Sequence, residues 1–164
     1  KLLMIKIKFE SGESKEFNLT TFDGSDLSNL KLHTAIFEGY SMCNVNFNYT
    51  DLRNVNFAYC NLNYSNFTDA SLINCNLMNC SLVNVNMTRS KLIGAFLLNA
   101  DLKNANLFGA DLFGANFNCT NLKGVNLQTA RIEEASFINA VYDKYTIWPE
   151  FFIPEINGAI LVKK

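Results

Sequence analysis

From Phe22 to Phe137 every fifth residue is large and apolar: 24 consecutive positions carry 14 Leu, 7 Phe, 2 Met and 1 Ile. Phe17 and Tyr142 extend the register one step at either end. Two residues before each of these centres, 22 of the 24 positions hold Ala, Cys, Ser, Thr or Val, the exceptions being Leu30 and Tyr40. A period of five suits neither regular element. On a helix five residues rotate by about 500°, so successive centres would wander around the surface. On a strand an odd step sends successive centres to opposite faces. The chain must therefore turn once per repeat. Two residues after the centre, 15 of the 24 positions are Gly or Asn, which accept the positive φ of tight turns. Four turns close a square coil of 20 residues, and 24 repeats make six coils. At the strand spacing these stack into a rod about 25–30 Å long.

The centre and the small residue before it point inward, and the other three positions of each repeat face water. Cys60, Cys75 and Cys80 occupy the inward slot, whereas Cys43 and Cys119 are outward, and no CxxC spacing joins any of the five. These read as reduced thiols filling a core, not as a disulfide framework or a metal site.

Stretches such as ADLKN, ANLFG, ADLFG, ANFNC and TNLKG resemble the A(D/N)LXX signature of pentapeptide-repeat proteins. The resemblance spans about residues 17–142 and implies an all-β fold, a right-handed quadrilateral β-helix. The tail YDKYTIWPEFFIPEINGAILV is similar to a segment, YDxxTxWPEGFDPxxxGA, that follows the repeats in cyanobacterial members. It departs from that form at Phe151 and Ile153, where Gly and Asp are expected.

A stacked fold exposes strand edges and core at its ends. Residues 1–19 alternate lysine with apolar residues, turn near Gly12 and run back through SKEFNL, which predicts a hairpin-like N-terminal cap. Residues 20–142 form the repeat solenoid, and residues 143–164, bearing Trp148, Phe151, Phe152 and two prolines, form a C-terminal covering tail. No apolar run is long enough to span a membrane as a helix. Lys1 is not a natural start, so residues before it are expected to have been removed. Free cysteines and no visible signal peptide suggest the cytoplasm, or the periplasm or thylakoid lumen if a leader was lost.

No constellation of catalytic residues emerges. The single histidine, His33, follows a centre and is outward. Neither a phosphate-binding glycine loop nor a Ser/His/Asp set is present, and a solid rod offers no cleft for paired carboxylates. The expectation is a protein without enzymatic activity, cofactor, metal or small-molecule substrate. Some pentapeptide-repeat proteins bind type II topoisomerases by mimicking DNA with an acidic rod and a C-terminal dimer helix. Between residues 20 and 142, however, nine acids face seven bases, a net of −2. DNA carries one charge per ~1.7 Å. The formal charge of the whole chain is −1, which also argues against a nucleic-acid partner.

Folding the sequence at 20 residues per coil places outward residues in columns. Ile73, Ile93 and Phe113 share one, Met78 and Leu98 a second, and Phe96 takes an outward slot where Asn or Asp dominates elsewhere. With Phe108 on the preceding face, these seven form a candidate protein-docking stripe, since clustered exposed apolar residues mark interaction sites. The function expected is a rigid protein-interaction scaffold, monomeric or weakly dimeric, with an unidentified protein partner; topoisomerase binding is the alternative. Tyr49, Tyr59 and Tyr64, in outward turn slots, form a weaker second candidate.

Overall fold

In the computed structural model, which describes residues 4–163, the chain winds as a right-handed quadrilateral β-helix. Each repeat contributes one short parallel bridge to the coil before and the coil after it. The ladder runs Asp26–Asn46–Asn66–Asn86–Asn106–Asn126 on one face and Ile36–Asn56–Asn76–Phe96–Asn116–Ser136 on the opposite one, always at a step of 20. The corners are tight turns closed by a bond from the amide of the third residue after the centre to the centre's carbonyl, as in Ser25 to Phe22 (2.9 Å) and Ala35 to Leu32 (3.0 Å). At 22 of the 24 corners the residue two after the centre has a positive φ, between 54° and 77°, the signature of a type II turn. Asn and Gly fill most of these positions, but Tyr49, Tyr59, Tyr64, Arg89 and Cys119 are held there too. Stacked neighbours impose that conformation against a cost of about 1–2 kcal/mol per residue.

The interior is four columns of side chains. Phe37 stacks on Phe57 and Phe47 on Phe67, with ring centroids 5.4 and 4.7 Å apart. Phe47 and Phe57 meet edge to face across the interior at 5.6 Å. Higher in the stack Leu77, Leu97, Met87 and Leu107 take over these columns with no exposed surface. Beside such large centres only a small neighbour fits, and Cys60, Cys75 and Cys80 are buried there as free thiols.

The expected register fails at one seam. The corners at Thr129 and Glu134 lack a positive φ, which moves instead to Arg131 (53°). Asp111 consequently pairs with Ala130, one residue short of the regular step, and a 3-10 turn at Ile132–Glu134 restores the count before Asn116 pairs with Ser136. Ala130, expected inside, is therefore exposed, while Ile132 stays buried. Thr20, at the first inward slot, is exposed as well.

At the N-terminal end, β1 (Ile5–Phe9) and β2 (Ser14–Phe17) form an antiparallel hairpin. β1 also pairs antiparallel with β3 (Ala35–Ile36), so the hairpin prolongs one face of the solenoid as a continuous sheet. Residues 1–3 of the segment read as a hairpin lie outside the described residues. Ile7 and Phe17 are buried there, and Phe17 meets Phe22 edge to face at 5.4 Å. At the other end, winding continues beyond Tyr142: Ile147 pairs with Asn126, and β4 (Val141–Tyr142) pairs in parallel with β5 (Ile160–Leu161). Trp148 packs edge to face on Phe137 (5.4 Å) and Tyr142 (5.3 Å) and stacks on Phe152.

Candidate functional site

What the outward residues do follows from the geometry of the turn. The residue before each centre, usually Asn or Asp, accepts a hydrogen bond through its side-chain oxygen from the amide two residues on. Asn56 takes that of Ala58 (3.0 Å), Asn76 that of Met78 (3.1 Å) and Asn116 that of Asn118 (2.9 Å). These amides stand in one column, and Phe96 interrupts it. A phenyl ring accepts no such bond, so the fold gains nothing at the turn by having it there. Phe96 nonetheless presents 49% of its surface to solvent.

Ile73, Ile93 and Phe113 stack at the adjoining corner, Met78 and Leu98 at the next, as the inter-coil bonds Asn74 to Ile93, Gly94 to Phe113 and Asn79 to Leu98 show. Ile73, Met78, Ile93 and Leu98 are half-buried along the wall, whereas Phe113 is 43% exposed. Phe113 is not free on both faces: the Arg131 guanidinium lies 4.6 Å from its ring centroid. Phe108, 51% exposed, stands apart from the other six. It sits at the far corner of the face that carries Lys91, Asp111 and Arg131, so a charged column divides it from Phe113.

Beside Phe96 and Met78 runs an open groove of about 590 Å³ bordered by Asn54, Asn56, Asn74 and Asn76 and closed at its lower end by Glu10. Sequence columns alone did not bring Glu10 here, because only the pairing of β1 with β3 aims the hairpin turn at this face. Tyr49, Tyr59 and Tyr64 stand exposed at corners, Tyr59 at the one that carries Met78 and the other two at different corners.

Three of the rod's nine acids are held by its own arginines. Arg53 binds both carboxylate oxygens of Asp51 (2.8 and 2.7 Å). Arg89 does the same to Asp69 from the next coil (2.9 and 2.7 Å). Arg131 bridges to Asp111 likewise. The guanidinium hydrogen bonds hold all three carboxyls below the usual aspartate range. His33 lies 3.8 Å from Asp51 at the surface. Cys43 and Cys119 are outward, on different columns. Among the described residues no three His, Cys, Asp or Glu side chains converge, and no helix is long and apolar enough to cross a membrane.

A model for the pentapeptide repeat region matches residues 13–87, and one for pentapeptide repeats matches residues 70–107, 80–118 and 105–141. No curated protein matches the chain. Among solved structures, the pentapeptide repeat protein Rfr23 of the cyanobacterium Cyanothece 51142 is 24% identical, with a TM-score of 0.57 over 78% of this chain and 87% of that one. A pentapeptide repeat protein of the Arabidopsis thaliana thylakoid lumen is 26% identical, with a TM-score of 0.54 over 63% and 69% of the two chains. QnrB1, a plasmid-mediated fluoroquinolone resistance protein, is 17% identical, with a TM-score of 0.51 over 85% and 87%. The repeats, the square coil and the matching family models agree, and the chain belongs to the pentapeptide repeat family.

Proposed function

We propose that this protein is a non-enzymatic, rigid scaffold that docks a protein partner along Ile73, Met78, Ile93, Phe96, Leu98 and Phe113, with Phe108 left outside this face by the Asp111 and Arg131 column. The observation that carries the reading is Phe96, an exposed ring in a slot where its column neighbours are asparagines bonded to the turn. The groove beside it suits an extended segment of the partner, with Asn54 and Asn74 as donors and acceptors for its peptide groups and Phe96 and Met78 for an apolar side chain. In this reading the hairpin and the Trp148 tail, of the cyanobacterial type, act as caps.

Affinity capture from the native host, with Phe96→Asn and Ile93→Lys, tests the proposal. Both variants should melt like the parent, because the positions are outward, and both should lose the captured partner. Undiminished capture by the folded double variant overturns the docking face.

The likeness to QnrB1 favours a second reading, binding to a type II topoisomerase, which a gyrase supercoiling assay would detect directly. Against it stand the three aspartates already neutralised by arginine.

A further inference from the structure

We propose that the last coil carries a binding site for a small organic oxyanion, a phosphate or sulfate ester with an apolar body. A net charge of −1 for the chain conceals a local concentration of positive charge. Lys103 and Lys123 hold the same place in successive coils, one directly above the other. The tail then turns back over them: Lys144 and Tyr145 follow the next corner, and β5 returns alongside with Leu161, Val162 and Lys163. Together they enclose a concavity of about 540 Å³, within the range of small-molecule sites.

Two acids stand nearby against four lysines, which leaves a net positive charge. Asp143 is the one carboxylate in the wall, and its Oδ1 accepts the amides of Gly124 and Tyr145, each at 3.0 Å. Asp101, beside it, accepts the Lys103 amide and the Asn121 side chain. Among the described residues the surface arginines Arg53, Arg89 and Arg131 each have an aspartate partner, yet none of these four lysines forms an ion pair. Like charges stacked on adjacent strands are destabilising, and a bound oxyanion would relieve that repulsion through charge-assisted hydrogen bonds. Leu161 and Val162 supply an apolar wall, and the Tyr145 ring, two-thirds exposed with the Lys144 ammonium 5.0 Å from its centroid, offers a stacking surface. Ammonium groups on one side and an apolar wall on the other select an anion with a hydrocarbon or aryl portion over a bare ion. The site lies apart from the docking face and does not depend on it.

Phenyl phosphate titrated into the labelled protein, followed by amide chemical shifts, tests this. Saturable shifts are expected at Lys103, Lys123, Asp143–Tyr145 and Leu161–Lys163. Inorganic phosphate should bind about tenfold more weakly, and benzyl alcohol should give no saturable shift. Phenyl sulfate distinguishes the two ester classes. Lys103→Gln with Lys123→Gln, both exposed or half-exposed, should keep the melting temperature and weaken phenyl phosphate about tenfold. No saturable shift up to about 20 mM, or shifts spread equally to Lys31 and Lys91, overturns the site. Equal affinity for inorganic phosphate overturns the apolar part of the proposal, and undiminished binding by the double variant overturns the lysines' role.

Discussion

The thiol of Cys75 donates a hydrogen bond of 2.7 Å to the backbone carbonyl of Leu52, one coil earlier. Cys60 and Cys80 do the same to Phe37 and Phe57, both at 2.9 Å, and the hydroxyls of Thr50 and Ser65 reach Leu27 and Met42 at 2.8 and 2.7 Å. The stack sets the carbonyl of the centre 23 residues earlier against the inward slot. At these five positions a small hydroxyl or thiol is buried with its donor satisfied, which favours Ser, Thr and Cys there beside Ala and Val, although Ser90 in the same slot makes no such bond and Thr120 bonds Phe117 of its own repeat instead.

These thiols should be chemically silent. Burial pushes Cys60 and Cys80 up to about 12 and Cys75 higher still, so almost no reactive thiolate exists at neutral pH. Titration with a thiol reagent near pH 8 should modify two of the five cysteines, Cys43 and Cys119, and all five after denaturation.

Neighbouring leucines should differ sharply. Leu97 is fully buried in a column between Leu77 and Phe117, whereas Leu98 lies on the outer wall. Leu97→Ala should cost about 2–5 kcal/mol in urea unfolding. Leu98→Ala should stay within about 0.5 kcal/mol.

Corner glycines should rank by what stands over them. Gly39 (φ 77°) has open space at its Cβ position, while a Cβ at Gly94 (φ 64°) would collide with the Asn74 Oδ1. Gly39→Ala should cost about 1 kcal/mol, the left-handed penalty alone. Gly39→Asn should cost less, since Asn tolerates that region. Gly94→Ala should cost more than Gly39→Ala, and Asn74→Ala should restore part of the difference in a double-mutant cycle.

Acid should weaken the outer ladder. Asp51, Asp69 and Asp111 are held below their ordinary value of 3.8 by arginine, so their contribution is complete above that pH and disappears as pH falls through their lowered values. The melting temperature should be level between about pH 5 and 7 and drop below about pH 4. Arg89→Gln should flatten that drop and cost little at neutral pH, because the pair is solvent-screened.

The C-terminal aromatic cluster should protect the open end. Removing residues after Tyr142 takes away Trp148 and Phe152, which pack on Phe137. The truncated chain should aggregate on size-exclusion chromatography; a monomer melting like the full chain would show that the tail does not cap the core.

Much of this architecture was legible in the primary structure because a five-residue register admits one solution: a chain that turns every fifth residue and buries what does not turn. Phe37, Phe57 and Leu97 could be assigned inside, and Phe96 and Phe113 outside, by counting alone. The count misled at Ala130, since neither Thr129 nor Glu134 takes the left-handed corner and Arg131 does so instead. It also placed Phe108 with Phe113, although the Asp111 and Arg131 pair stands between their corners.

The sequence by itself determined the coil, its core columns and which apolar residues the core does not use, because each of these depends only on position within the repeat. Tertiary structure decided where the non-repeating ends lie. Pairing of β1 with β3 brings Glu10 to the groove beside Phe96, and the return of β5 along β4 brings Lys163 and Leu161 to Lys103 and Lys123. Such encounters follow from long-range strand pairing, which no local period encodes, and they set the chemistry of the two surfaces proposed to bind ligands.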